Sequence, residues 1–312
     1  MFDGPVADHL LQILAALRDT NYRFTAVTPA THARILRRDG GREARDLRDV
    51  FGWSRPFRRD TLPAAMLAML ERAGRLERLP GEMLKSGIRV SSLDDLLLIH
   101  SAYPTDDAHS VFFGPDTYRF ARFIASELED APPPRRIVDI GGGTGAGALV
   151  AARRFPEARV TVTDINPDAL RLAAVNAAHA GAAIETVLGS GLEGVEGALD
   201  LILANPPFIM DAEARAYRHG GGMHGAELSL QWALSAAERL APGGRFLLYT
   251  GVAIVDGEDG LRAALEARLP ALGCTIRYAE LDPDIFGEEL DEPAYADVER
   301  IAAVGAVITR PS

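Results

Sequence analysis

A chain of 312 residues, 47% hydrophobic and 25% charged, is long enough for roughly two globular domains with a sizeable core. A single cysteine, Cys274, excludes an internal disulfide and any multi-cysteine metal site, and no bound metal is expected. No apolar run is long enough to span a bilayer, and the start, MFDGPVADHLLQ, lacks a secretory pattern, so a cytoplasmic protein without membrane contact is expected. The net charge of −11 is unevenly spread: residues 1–105 carry 16 Lys+Arg against 13 Asp+Glu, and the remainder 17 against 31. The acidic remainder argues against broad nucleic-acid binding by that part, while the slightly basic front leaves the question open.

In chain order, PVADHLLQILAALRD has the apolar spacing of a helix and opens on proline, which suits a first-turn position. EARDLRDVFG and TLPAAMLAMLERAG read as two further helices, each ending on a glycine suited to a left-handed cap. RLERL and IRVSSLDDLLLIHS suggest a small hairpin, which completes the outline of a winged-helix module. The arginines between 34 and 59 are interleaved with Asp39, Glu43, Asp46 and Asp49, the pattern of a salt-bridged face. After the stiff APPPRR at 131–136, strand and helix alternate strictly. RRIVDI, RVTVTDI, AIETVLG, LDLILA and RFLLYTG read as strands, and NPDALRLAAVNAAHAG as a helix with Asn166 as its cap. This alternation predicts an α/β fold with a mostly parallel sheet, closed by CTIRYAEL and RIAAVGAVITR as an antiparallel edge. Two domains follow: a mainly helical 1–105 and an α/β 106–312.

The first strand leads into DIGGGTGAG, residues 139–147. Glycines at 141, 143 and 145 let the backbone turn sharply and approach a ligand, and the next helix aims its N–H groups at an anion. Gly141, Gly143 and Ala146 satisfy a dinucleotide fingerprint. Asp139, Gly141, Gly143 and Gly145 satisfy an S-adenosylmethionine pattern equally well. Asp164, ending the next strand, suits ribose hydroxyls under either reading.

The tie is broken by LDLILANPPFIM, residues 199–210. Pro206 and Pro207 fix φ and delete two N–H groups, leaving a stiff strand end with carbonyls and the Asn205 amide. A dehydrogenase has no evident use for such a rim, whereas methyl transfer to nitrogen does. An sp² amino nitrogen is a poor nucleophile until its lone pair is aimed in line at the methyl carbon. The Asn205 oxygen and the Pro206 carbonyl are acceptors for its N–H groups and for the growing positive charge. Phe208 offers a flat face to a planar substrate.

With these motifs in hand, residues 111–250 resemble the class I S-adenosylmethionine-dependent N-methyltransferases with an Asn-Pro-Pro-[Phe/Tyr] motif. Within these the chain is most similar to the release-factor glutamine methyltransferases and to the small methyltransferase group of guanine-N2 RNA enzymes. GPDTYRFARFIASEL (114–128) resembles the segment preceding the sheet in the glutamine enzymes. The resemblance implies a Rossmann-like sheet and S-adenosyl-L-methionine as cofactor. It implies a cofactor site of Asp139, Gly141, Gly143, Thr144, Gly145, Asp164, Ile165, Ser190, Asn205 and Thr117. The implied catalytic set is Asn205, Pro206, Pro207 and Phe208. Gly114 stands where the glutamine enzymes carry arginine, Phe208 where they carry tyrosine, and Ser190 where an aspartate often meets the adenine.

The expected activity is methyl transfer to a planar amide or amino nitrogen of a protein or peptide side chain. The alternative enzyme reading is an RNA base, guanine N2 or adenine N6, and the non-enzymatic one a cofactor-sensing winged-helix module. YRHGGGMHGAELSL (217–230) is expected as a mobile lip with glycine hinges. In it, His219 and His224 read as loop polar groups. ELDPDIFGEELDEPAY (280–295) is expected as a solvated acidic loop.

Overall fold

The computed structural model describes residues 4–38, 40–105, 107, 109–210 and 218–312. Within these the chain divides into two compact units. The first comprises Met1–Arg119, Gly143–Ala146 and Asp168–Ala183, and the second Phe120–Gly142, Gly147–Pro167 and Ile184–Ser312.

The first unit opens with α1 (Pro5–Asp19), which buries Leu10, Ile13, Leu14 and Leu17 along one face at helical spacing. It continues through α2 (Pro29–Arg38), α3 (Leu47–Phe51) and α4 (Ala64–Arg72). The helix expected over 43–52 is shortened at its front because Asp46 caps it, accepting the Asp49 N–H at 2.8 Å. Asp49 in turn receives a fork from Arg42 at 2.6 and 2.9 Å, so a salt-bridged face is present as expected; Asp39 lies outside the described residues. Of the two expected glycine caps, Gly74 is left-handed at φ +65°, but Gly52 sits at φ −100°. Gly52 is needed for room instead, since a Cβ there would come within 2.3 Å of the Phe24 ring.

One hairpin was expected next, and two are found. β1 (Leu76–Leu79) pairs with β2 (Met83–Ser86), and β3 (Ile88–Leu93) with β4 (Leu96–Ser101), all antiparallel. Gly81 and Asp94, both at positive φ, close the two turns, so each strand pairs with its immediate neighbour in sequence. α5 (Pro115–Leu128) begins in this unit, and α7 (Pro167–Ala180), after α6 (Ala146–Arg154), belongs largely to it. Ala169, Leu172 and Val175 of α7 share a core cluster with Leu14, Phe51, Val90 and Ile99. The Asn176 amide, fully buried, bonds both the N–H (2.8 Å) and the carbonyl (3.1 Å) of Ile99.

The second unit is built on one sheet. Its strands are β5 (Arg136–Ile140), β6 (Arg159–Asp164), β7 (Glu185–Leu188), β8 (Leu199–Ala204), β9 (Leu240–Val255), β10 (Glu258–Asp259), β11 (Thr275–Asp282) and β12 (Arg300–Thr309). The order is β11-β12-β9-β8-β5-β6-β7, with β10 a short addition on β9. Pairing from β9 through β7 is parallel, and β12 is antiparallel to both β9 and β11. This is the expected Rossmann-like sheet with an antiparallel last strand. Because β9 alternates, Phe246 and Leu248 face α8 (Glu227–Arg239) and α9 (Gly260–Arg268) in one core with Ala233, Leu261 and Leu265. Tyr249 points the other way, its ring 6.2 Å from Phe120 of α5. The direction of connection reverses at β5, between β8 and β6, and ligands of such sheets bind where this happens, beyond the C-terminal ends of the strands.

Among the described residues, no helix is long and apolar enough to cross a membrane.

Candidate active site

β5 delivers Asp139 to the start of the glycine loop. Its Oδ2 accepts the Ala148 N–H of α6 at 2.8 Å, while its Oδ1 is buried without a hydrogen-bond partner among the described residues. Burial pushes this carboxyl up to about 7; the Asp164 charge adds to the rise and the Ala148 N–H opposes it. Gly141 is held at φ +61° and a Cβ on it would lie 2.7 Å from the Trp232 ring, so conformation and space both demand glycine. Gly143 and Gly145 are also left-handed, at φ +54° and +78°.

Gly143, Thr144 and Gly145 fall in the first unit. There the Thr144 carbonyl accepts from Asn176 Nδ2 at 3.0 Å, and Gly145 lies against Ala173 of α7. Thr117, in the same unit, exchanges hydrogen bonds with Gly114 in the first turn of α5: Gly114 N–H to Thr117 Oγ1 at 3.3 Å and Thr117 N–H to the Gly114 carbonyl at 3.0 Å.

In the second unit Asp164 ends β6, its Oδ1 accepting the Asn166 N–H at 2.9 Å. Beside it two aliphatic side chains stand out into solvent, Ile165 at 56% and Leu188 at 63% exposure. Aliphatic side chains so placed at the ends of parallel strands suit the faces of a flat ring. Ser190 is exposed, its N–H bonded to Glu193 Oε2 at 3.0 Å. Trp232 of α8 reaches this rim too: its indole N lies 3.7 Å from where a Gly191 Cβ would be.

β8 runs between β5 and β9 and ends at Ala204, so Asn205 leaves the sheet at its centre. The Asn205 Oδ1 is buried and, among the described residues, has no hydrogen-bond partner. A buried orphan acceptor of this kind costs free energy unless a donor arrives. Phe208 is 8% exposed, packed against Gly251, where a Cβ would come within 2.4 Å of the ring, and edge-on to Phe286.

The expected lip begins at Tyr217, which lies outside the described residues. From 218 on, Gly220 and Gly225 press on the carbonyls of Pro207 and Phe208, where a Cβ would come within 2.7 and 2.1 Å. Close packing therefore requires glycine at both positions. His224 Nε2 bonds Asp297 at 3.0 Å, and the Nδ1 of His219 is buried without a partner among the described residues.

Because β5 to β8 are parallel, Asp139, Gly141, Asp164, Ile165, Ser190 and Asn205–Phe208 all gather at one rim. A carboxylate for hydroxyls, an apolar wall for a ring, a glycine turn and an orphan acceptor together suit a nucleoside cofactor beside a nitrogen substrate. Trp232, Phe286, Tyr295 and Glu289 belong to this neighbourhood and carry no motif. In sequence Trp232 is one more apolar residue of an amphipathic helix, and the other three sit in a stretch dominated by carboxylates.

The family model for "Methyltransferase small domain" matches residues 108–251. The chain is 33% identical over 224 residues to a release factor glutamine methyltransferase of Deinococcus radiodurans, covering 69% of this chain and 72% of the relative. It is 38% identical over 127 residues to a tRNA1(Val) (adenine(37)-N6)-methyltransferase of Porphyromonas gingivalis, covering 38% of this chain and 50% of the relative. It is also similar to the crystal structure of a SAM-dependent methyltransferase from Agrobacterium tumefaciens, with a TM-score of 0.48, 20% identity, and coverage of 75% of this chain and 73% of that one.

Proposed function

Because the chain belongs to the class I S-adenosylmethionine-dependent N-methyltransferases, we propose that it methylates the side-chain amide or amino nitrogen of a protein or peptide. It is an enzyme, and its cofactor is S-adenosyl-L-methionine. The rim residues fit that molecule. Asp164 takes the ribose hydroxyls, Ile165 flanks the adenine with Ser190 at its edge, and the turn begun by Asp139 and Gly141 receives the amino-acid end. When bound, the cofactor supplies an electrophilic methyl group on a sulfonium.

The observation that carries the reading is the buried Oδ1 of Asn205, which has no partner among the described residues. It accepts one N–H of the incoming nitrogen and so fixes the direction of its lone pair. It also stabilises the positive charge that develops there, and because it is held in place beforehand, little reorganisation is needed. Pro206 and Pro207 bring no N–H of their own to compete for acceptors, and Phe208 anchors the strand end.

The choice of protein over RNA rests on charge. The insertion whose Phe286 touches Phe208 exposes Asp284, Glu288, Asp291 and Glu292, and a phosphate backbone approaching such a rim is repelled. The slightly basic residues 1–105 are proposed to hold the acceptor, with 106–312 as the catalytic domain. The test is a cell lysate incubated with the enzyme and methyl-labelled cofactor. Label lost to protease and resistant to nuclease is expected; nuclease-sensitive label would overturn the protein reading in favour of RNA.

A further inference from the structure

The prolines that make the strand end rigid also deprive it of ladder bonds. Beyond Ala204 the chain has no N–H at 206 or 207, and whatever fixes Phe208–Met210 must come from elsewhere. Much of that support comes from the insertion between β11 and β12, which from sequence is a solvated acidic loop. Tyr295, 2% exposed, accepts the Met210 N–H on its hydroxyl at 2.8 Å. Phe286 meets the Phe208 ring edge-on, centroids 5.6 Å apart and planes at 70°, and holds a left-handed φ of +52° to do so. Glu289, 7% exposed, pairs with Arg218, and Asp297 with His224, so the segment after the motif is tied to the same insertion. The Phe208 ring is thereby clamped between Phe286 and the bare backbone of Gly251.

We propose that residues 286–297 are a positioning element for methyl transfer, with Tyr295 and Phe286 setting the strand end from which Asn205 meets the acceptor nitrogen. They act through Met210 and Phe208, and the proposal rests on reading Asn205 as the acceptor of the target N–H. Methyl transfer is sensitive to in-line geometry, so loosening this support lowers turnover and leaves the cofactor rim, formed by other strands, unchanged.

The test uses the full-length enzyme, its Tyr295→Phe and Phe286→Ala variants, and Glu157→Gln as a control on an exposed residue outside the insertion. Amide hydrogen exchange across 205–210, calorimetric titration with S-adenosylhomocysteine, and the kcat and KM of transfer to the protein labelled in the lysate are measured. Tyr295→Phe removes one acceptor and no volume. It should speed exchange at Met210 about tenfold and lower kcat about tenfold, with cofactor affinity unchanged and Glu157→Gln behaving as wild type. Unchanged exchange at Met210, or faster exchange with unchanged kcat, overturns the proposal even if Phe286→Ala fails to fold. Asn205→Ala run alongside separates the two ideas. Normal turnover there sinks the acceptor reading, whereas lost turnover there with normal turnover in Tyr295→Phe sinks only the support.

Discussion

Asn205 is distinguished by what it lacks. Its neighbours in β8, Leu201, Ile202 and Leu203, are all at most 1% exposed and carry the packing, while its own buried oxygen bonds nothing among the described residues. Asn205→Ala should therefore leave the melting temperature and cofactor affinity nearly unchanged while lowering turnover about 10²–10³-fold, by analogy with losing one preorganised oxyanion donor. A melting temperature that collapses would show instead that the amide holds the fold. Trp232 invites an optical test, because the chain has only two tryptophans. In a Trp53→Phe variant all indole emission comes from Trp232, and titration with S-adenosylhomocysteine should change it saturably; a flat titration would place the cofactor away from this ring. Asp139 makes a prediction about pH. Its folded value of about 7 lies above the ordinary 3.8, so between those values the folded state holds more protons than the unfolded one. The contribution of Asp139 to stability is full below about pH 4 and is lost as the pH rises toward 7. His32, lowered to about 4 by burial and by Arg89, acts in the opposite sense, so the comparison is with Asp139→Asn. The difference in unfolding free energy between wild type and that variant should shrink as the pH is raised from 4 to 7 and level off above.

Elements were legible in the sequence in proportion to how much of their burial was apolar and periodic. β5, β6 and β8 are short aliphatic runs closed by turn signals, and their reading as strands holds to within a residue or so. α1 was equally clear, since four leucine and isoleucine side chains line one face. α2 was not legible, because PATHARILRR is short, mostly polar, and buries only His32. The pairing of the hairpins was lost for a different reason: partner choice depends on the turns at Gly81 and Asp94, and hydrophobic alternation alone does not set it. At the site, the motifs on the strands were readable because glycine, proline and aspartate have fixed conformational and chemical uses. The support from Phe286 and Tyr295 depends on tertiary proximity across some 80 residues of sequence, and nothing local marks it. α7 shows how one side chain can be worth an element's attachment. Asn176→Ala would strip partners from both the N–H and the carbonyl of Ile99 inside the core, costing about 2–4 kcal/mol in urea unfolding. A loss below about 1 kcal/mol would mean that water replaces the amide there.

For the molecule as a whole, charge is apportioned by region: +3 over residues 1–105 and −14 over the rest. Acceptor affinity governed by that arrangement should weaken only modestly with salt for a protein substrate, whereas a steep, log-linear fall is the mark of phosphate contacts. The two units also divide the chain in an unequal way. The chain crosses between them at 119/120, 142/143, 146/147, 167/168 and 183/184, which puts the tip of the glycine loop in the first unit and α7 in its core. This bears on how such a protein can be altered by recombination. A gene fusion that exchanged residues 1–105 for another front segment would leave Ala169, Leu172 and Val175 facing a stranger, and Asn176 without its Ile99. Inherited variety in the front segment must therefore travel with matching changes some 70 residues downstream, in the helix that directly follows the Asp164 turn.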